Sequence, residues 1–252
     1  MTRPAALGQL SWPELDGSTV TLLVPLGAVE QHGPHLPLDT DSRIATAVAE
    51  GAHDRLLPSF GRSAGGSSDA MITPPRFLVA PPLHYGASGE HEAFAGTVSL
   101  GAEALGLLLL EYGRSACRWA DRIVFVNGHG GNGRPLVDAV GRLRGESRDV
   151  AWFPCVLGGR DAHAGHTETS VLMHISPELV RSSHAAAGNR QPVAQLLPEL
   201  RAGGVAAVSP NGVLGDPTGA TAAEGRTLLE SSIDALVAAV GEWSVDAQGR
   251  LV

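Results

Sequence analysis

Residues 20–26 read Val-Thr-Leu-Leu-Val-Pro-Leu, and this run constrains the fold more than any other stretch of the chain. A short, β-branched apolar run without strict alternation reads as a buried strand. Ile123–Val126 and Val150–Phe153 are runs of the same kind, and "RFLVAPPL" (76–83) reads as a strand ending in prolines. Helical character appears over about 42–57, 103–119 and 134–144, in an apolar segment after "DAHAGHTETS" that runs to about His174, and over about 221–243. Apolar strands alternating with helices predict an α/β fold with a mostly parallel sheet. "TVSL" (97–100) predicts one more short strand. "GRSAGGSSD" (61–69) is the most linker-like stretch, and a single flexible loop accounts for it equally well. No internal repeat is visible, and 252 residues suffice for one sizeable core, so residues 1–252 are expected to form one domain.

Charge narrows the partners. A net charge of −8 argues against nucleic acid and anionic membrane surfaces. All 18 basic residues are arginine, which excludes a lysine Schiff base and a P-loop lysine. Cys117 and Cys155 are the only cysteines and neither lies in a CxxC, so no disulfide framework is expected. "LGLLLL" (105–110) is too short to span a bilayer, and the first residues lack the basic-then-apolar pattern of a signal peptide. A reducing cytoplasm fits these features.

The chemistry gathers in three loops that follow predicted strands, the place where α/β sheets build active sites. "GAVEQHGPHLPLDTDS" holds Glu30, His32, His35, Asp39 and Asp41. Glu30-x-His32 puts two ligand types on one side of an extended segment. Asp41 stands just before a predicted helix, where a simple N-cap is the competing role. "VNGHGGNG" (126–133) carries His129 among four glycines, and "DAHAGHTETS" carries Asp161, His163, His166 and Glu168. The second loop also matches the dinucleotide fingerprint at Gly128, Gly130 and Gly133. That fingerprint needs an acidic residue ending the next strand; Asp149 precedes "VAWF" instead, and His129 occupies the tight turn. Imidazoles with carboxylates suit zinc, manganese or iron(II). One aspartate shared by two ions would make a two-metal site, able to polarise a carbonyl and supply hydroxide near neutral pH. No G-x-S-x-G elbow supports a serine hydrolase. A non-catalytic anion-binding role for the glycine loop is the competing class, and it predicts no stoichiometric metal.

"EQHGPHLPLDTD", "NGHGGN" and "HAGHTETS" together resemble the creatininase family of metal-dependent amidohydrolases, and "GEHEAFAGTVSL" and "GDPTGATAAEG" look like further family blocks. The resemblance runs from about residue 20 to about residue 230. It implies a three-layer α/β/α sandwich around a mainly parallel sheet, two divalent metals (zinc and/or iron(II), with manganese an alternative), and a homo-oligomer, commonly a hexamer. Carried over motif by motif, it implies Glu30, His32, Asp41, His129 and Glu168 as metal ligands, with Asp41 bridging. His163 and Glu168 become the expected catalytic residues, and Gly130, Gly131, Asn132 and His91 the expected substrate-binding ones. Creatininase itself carries a tyrosine and a metal-binding glutamate directly after the strand-end histidine. Gly130 and Gly131 stand there in this chain, so Glu168 is the candidate for the fifth ligand, and the change argues against creatinine as substrate. Longer blocks, among them "YGASGEHEAFAGTVS" and "GGVAAVSPNGVLGDPTGATAAEGR", resemble a peptidase branch of the family. That branch releases a C-terminal Val-Tyr dipeptide from a modified ribosomal precursor peptide during maturation of a redox cofactor. Hydrolysis of a small cyclic or formyl amide is the alternative within the family. Arg43, Arg160 and Arg190 are candidates to hold a substrate carboxylate.

Overall fold

The computed structural model describes residues 6–61, 76–155, 157–158 and 161–252. Most of the linker-like stretch at 61–69, and Arg160, lie outside the described residues. Four strands, β1 (Val20–Leu26), β2 (Arg76–Val79), β3 (Arg122–Asn127) and β4 (Val150–Pro154), pair in the order β2-β1-β3-β4, all parallel. Leu23 of β1 aligns with Val79 of β2 and Val124 of β3, and Val124 aligns with Ala151 of β4.

The pleat divides these strands between two cores. Leu23, Val124, Val126, Ala151 and Phe153 face one layer, made by α1 (Thr40–Gly61), α4 (His166–Ile175) and α6 (Ala222–Glu242). Val20, Leu22, Val24, Ile123, Phe125 and Val150 face the other, made by α2 (Gly101–Ala116) and α3 (Gly133–Gly145). Every residue of β1 is buried, which is why its sequence carries no polar alternation. The sheet lies between helices on both faces, the three-layer α/β/α arrangement.

Two expectations need correction. "TVSL" forms no strand: Val98 makes a single antiparallel bridge to Val29, and the Thr97 hydroxyl accepts the Gln31 backbone N–H at 3.1 Å. The segment is spent on holding the loop after β1. The helix α5 (Val193–Val208) has no counterpart in the sequence-based expectation. Pro198 and a break at Gly204 interrupt its periodic pattern. α5 lies outside the sandwich, against the 3-10 turn Gly89–His91.

Candidate metal centre

The loops at the C-terminal ends of β1 and β3 meet the N-terminus of α1. A Cβ at Gly128 would lie 2.4 Å from the Asp41 carbonyl oxygen, so only glycine lets the β3 loop reach the first turn of α1. Asp41 sits in that first turn and does not cap it. Its Oδ1 lies 3.1 Å from His32 Nε2 and its Oδ2 lies 3.3 Å from His129 Nδ1. The capping role weighed for Asp41 is therefore not the one its side chain takes.

Hydrogen bonds from the far side of each imidazole fix which nitrogen faces the cluster. His32 Nδ1–H donates to the Glu30 carbonyl at 3.1 Å, which turns Nε2 toward Asp41. His129 Nε2–H donates to the Ala87 carbonyl at 3.1 Å, leaving Nδ1 toward Asp41 and, at 3.2 Å, toward Glu30 Oε1. His163 Nε2–H donates to the Gln31 carbonyl at 2.8 Å, which frees Nδ1 on the side of Glu30, 3.8 Å away. Glu168 reaches in from the first turn of α4, its Oε2 3.9 Å from His32 Nε2.

Electrostatics make the cluster tense. Burial opposes charge on His32, but Asp41, Glu168 and Glu30 outweigh it and raise its pKa to about 10. His129 is raised well above the ordinary value in the same way, against its burial, by Asp41 and Glu30. Asp41 is lowered, since His32 and His129 overcome its burial. Burial raises Glu168 to about 7. Burial also lowers His91 to about 3 and holds His163 well below the ordinary range.

Both carboxylate oxygens of Glu30 and Oδ2 of Asp41 are buried and accept no hydrogen bond. Buried ionisable oxygens without partners are costly, and cations are what such oxygens accept. Two groups of donors fall within ligating reach of one another: Glu30 with Asp41 and His129, and His32 with His163 and Glu168. Asp41 presents one oxygen toward a histidine of each group. The donor set, nitrogen lone pairs with carboxylate oxygens, suits a divalent transition metal.

A third group, Glu30 with His91 and His163, fits a metal less well. The Gln31 side-chain carbonyl accepts from the Gly33 N–H at 2.8 Å, so its amide nitrogen donates to the Gly212 carbonyl at 3.0 Å and to His91 Nδ1 at 2.9 Å. The proton of His91 is thereby on Nε2, 3.3 Å from Glu30 Oε1. His91 therefore turns a protonated nitrogen, not a lone pair, toward Glu30. Sequence patterning had no signal for Gln31, whose importance comes largely from His91 and Gly212, 60 and 181 positions away.

Other expected residues lie elsewhere. Asn132, expected to bind substrate, is fully buried and its amide is spent on the Ala87 N–H, the Gly27 carbonyl and Asn127. It ties the glycine loop to its neighbours. Asp161 accepts the Thr167 N–H at the start of α4, His35 bonds Thr169, and His166 pairs with Glu224 at 2.6 Å on α6. Arg43 pairs with Asp39 and Arg190 with Asp216, so neither guanidinium is free for a substrate. Asp149 precedes β4 and pairs with Arg122, which leaves the dinucleotide fingerprint without its acidic partner.

A cavity of about 710 Å³ opens beside the cluster, lined by Asp41, Glu90, His129, Gly130, Gly131, His163 and Glu168 on one side. Glu90 was absent from the expected site. Its Oε1 lies 3.8 Å from His129 Nε2 and 2.9 Å from where a Gly131 Cβ would stand. "GEHEAF" pointed to the turn through its histidine alone.

The model of the creatinine amidohydrolase family, Creatininase, matches residues 8–240. The chain belongs to the creatininase family. Creatininases of known structure share its fold: a manganese form superposes with a TM-score of 0.76 at 24% identity, covering 96% of this chain and 99% of the other. A creatinine amidohydrolase of Pseudomonas putida is 28% identical over 71% of this chain and 75% of its own length. Higher similarity is found with mycofactocin precursor peptide peptidases. Those of Mycobacterium ulcerans and Mycolicibacterium smegmatis are 56% and 52% identical, covering 97% and 98% of this chain and 94% and 95% of their own lengths.

Proposed function

We propose that this creatininase-family protein is a metal-dependent peptidase that releases the C-terminal Val-Tyr dipeptide from a modified ribosomal precursor peptide in mycofactocin biosynthesis. The observation that carries the hydrolytic reading is the set of buried, unpartnered oxygens on Glu30 and Asp41 beside the inward-facing ring nitrogens of His32 and His129. The identity of the substrate is supported by relatives that carry the peptidase name at more than half identity. We assign Glu30, His32, Asp41, His129 and Glu168 as ligands to two divalent ions, zinc and/or iron(II), with Asp41 shared. Residues 1–252 act as one domain, in the cytoplasm, as a homo-oligomer. Among the described residues no helix is long and apolar enough to cross a membrane.

Ions held there would polarise the scissile carbonyl and lower the pKa of water near it. The chain's own groups supply the rest. His163 presents an unprotonated Nδ1 to the cavity, because its Nε2–H is held by Gln31. It accepts a proton from the attacking water as the C–O bond forms. It then delivers that proton to the leaving nitrogen as the C–N bond breaks. Net, one water is consumed, giving a new carboxylate and the dipeptide's protonated amine. Gly130 and Gly131 line the same cavity, their N–H groups make no hydrogen bond with a described residue outside their own turn, and those groups stabilise the negative charge growing on the carbonyl oxygen.

Chelator-treated protein is assayed by mass spectrometry for dipeptide release from a Val-Tyr-ending peptide, then reloaded with metal. Activity is expected to vanish and return. Full activity in demetallated protein would refute the mechanism, and cleavage of small cyclic amides in place of the peptide would refute the substrate.

A further inference from the structure

The cavity has a second wall, built by α5. Val193, Leu197, Leu200, Arg201 and Gly204 line it, at three- to four-residue spacings that share one helical face. Val193 and Leu197 are 37% and 39% exposed, large apolar side chains left open toward that space. Arg201 is exposed and makes no ion pair or hydrogen bond with any described residue, unlike Arg43 and Arg190. The chain has no lysine, so among the described residues Arg201 is the only permanent cation lining the cavity.

The position of this wall is built in. Gly204 breaks α5 with φ 68°, and a Cβ there would meet the Glu90 carbonyl oxygen at 2.6 Å. The helix therefore seats directly on the turn that carries Glu90 and His91, and both border the cavity that Asp41 and Glu168 also line. An unpaired guanidinium facing such a space binds a carboxylate well, because its planar fork matches both oxygens.

We propose that Arg201 holds the C-terminal α-carboxylate of the substrate, while Val193, Leu197 and Leu200 receive the side chains of its last two residues. The inference rests on the peptidase reading and explains its register. Two extended residues span at most about 7 Å. An anchored carboxylate therefore fixes which carbonyl meets the cluster, and a general amide hydrolase becomes one that releases dipeptides.

The test uses the metal-loaded full chain and two peptides of one sequence ending in Val-Tyr, one a free acid and one a C-terminal amide. Dipeptide release is followed by mass spectrometry. The wild-type protein should favour the free acid roughly 10- to 100-fold in kcat/KM, the range expected for losing a charged hydrogen-bonded pair. Arg201→Gln should bring the free acid down to the level of the amide with metal content unchanged, and Arg201→Lys should recover part of the preference. Equal wild-type rates on both peptides overturn the assignment while leaving the peptidase reading standing. So does an equal loss on both peptides in Arg201→Gln. Failure of the wild-type protein to cleave either peptide removes the peptidase reading itself.

Discussion

Gly131→Ala tests whether backbone clearance holds His129 in place. The added Cβ would lie 2.4 Å from His129 Nε2 and 2.3 Å from the Ala87 carbonyl oxygen, the two atoms joined by the 3.1 Å bond that orients the imidazole. Ordinary contact begins at 3.4 Å, so the ring must shift by about 1 Å or the loop must move. The carbonyl is backbone and gives little, which puts the displacement on the histidine. Overpacking of this kind costs about 1–3 kcal/mol. For a chain of this size that lowers the melting temperature of the metal-free protein by roughly 2–10 °C. Loss of the orienting bond should weaken metal binding by about 10- to 100-fold. Calorimetry on metal-free protein reads the first effect, and competition against a calibrated chelator reads the second. Gly133→Ala is the control, because nothing lies within 4 Å of its Cβ at the start of α3. It should be neutral or slightly stabilising. If Gly131→Ala keeps both wild-type metal affinity and melting temperature, the glycine does not position His129.

Two further outcomes follow from the same geometry. With His32 raised to about 10 and His129 raised well above the ordinary range, both rings carry protons in the metal-free protein at pH 7.5, and metal must displace them. Calorimetric titration in two buffers of different ionisation enthalpy should report release of about two protons, with affinity falling as pH falls; release near zero would mean the rings are already neutral. Gln31→Leu strips partners from the Gly33 N–H, the Gly212 carbonyl and His91 Nδ1 at once. Each orphaned group costs about 1–3 kcal/mol, so the denaturation midpoint should fall clearly, and an unchanged midpoint would contradict the hydrogen-bond assignment.

Much of the sandwich was legible because its causes are local. The seven apolar positions of β1 need cover on both faces, and the loops after β1 and β3 and before α4 carry the histidines and carboxylates that the structure gathers. What each side chain does there was less legible. Asp41 as a cap and Asp41 between two histidines look the same along the chain, and only the placement of His32 and His129 against its two oxygens distinguishes them. Asn132 was expected as a substrate contact by family resemblance alone, and the structure shows its amide partners to be Gly27, Ala87 and Asn127.

The sequence by itself determined the α/β class, the parallel alternation of strands and helices, and the residue types available for metal chemistry. Burial periodicity and strand-end loops depend on neighbours a few positions apart, so they survive in one dimension. Tertiary structure alone decided which nitrogen of each histidine faces the cluster, because Gln31, Ala87 and Glu30 supply those hydrogen bonds from other loops or from backbone. It also decided the cavity's second wall. α5 is held by a contact between Gly204 and Glu90, 114 positions apart, and no local pattern encodes where its Arg201 comes to rest.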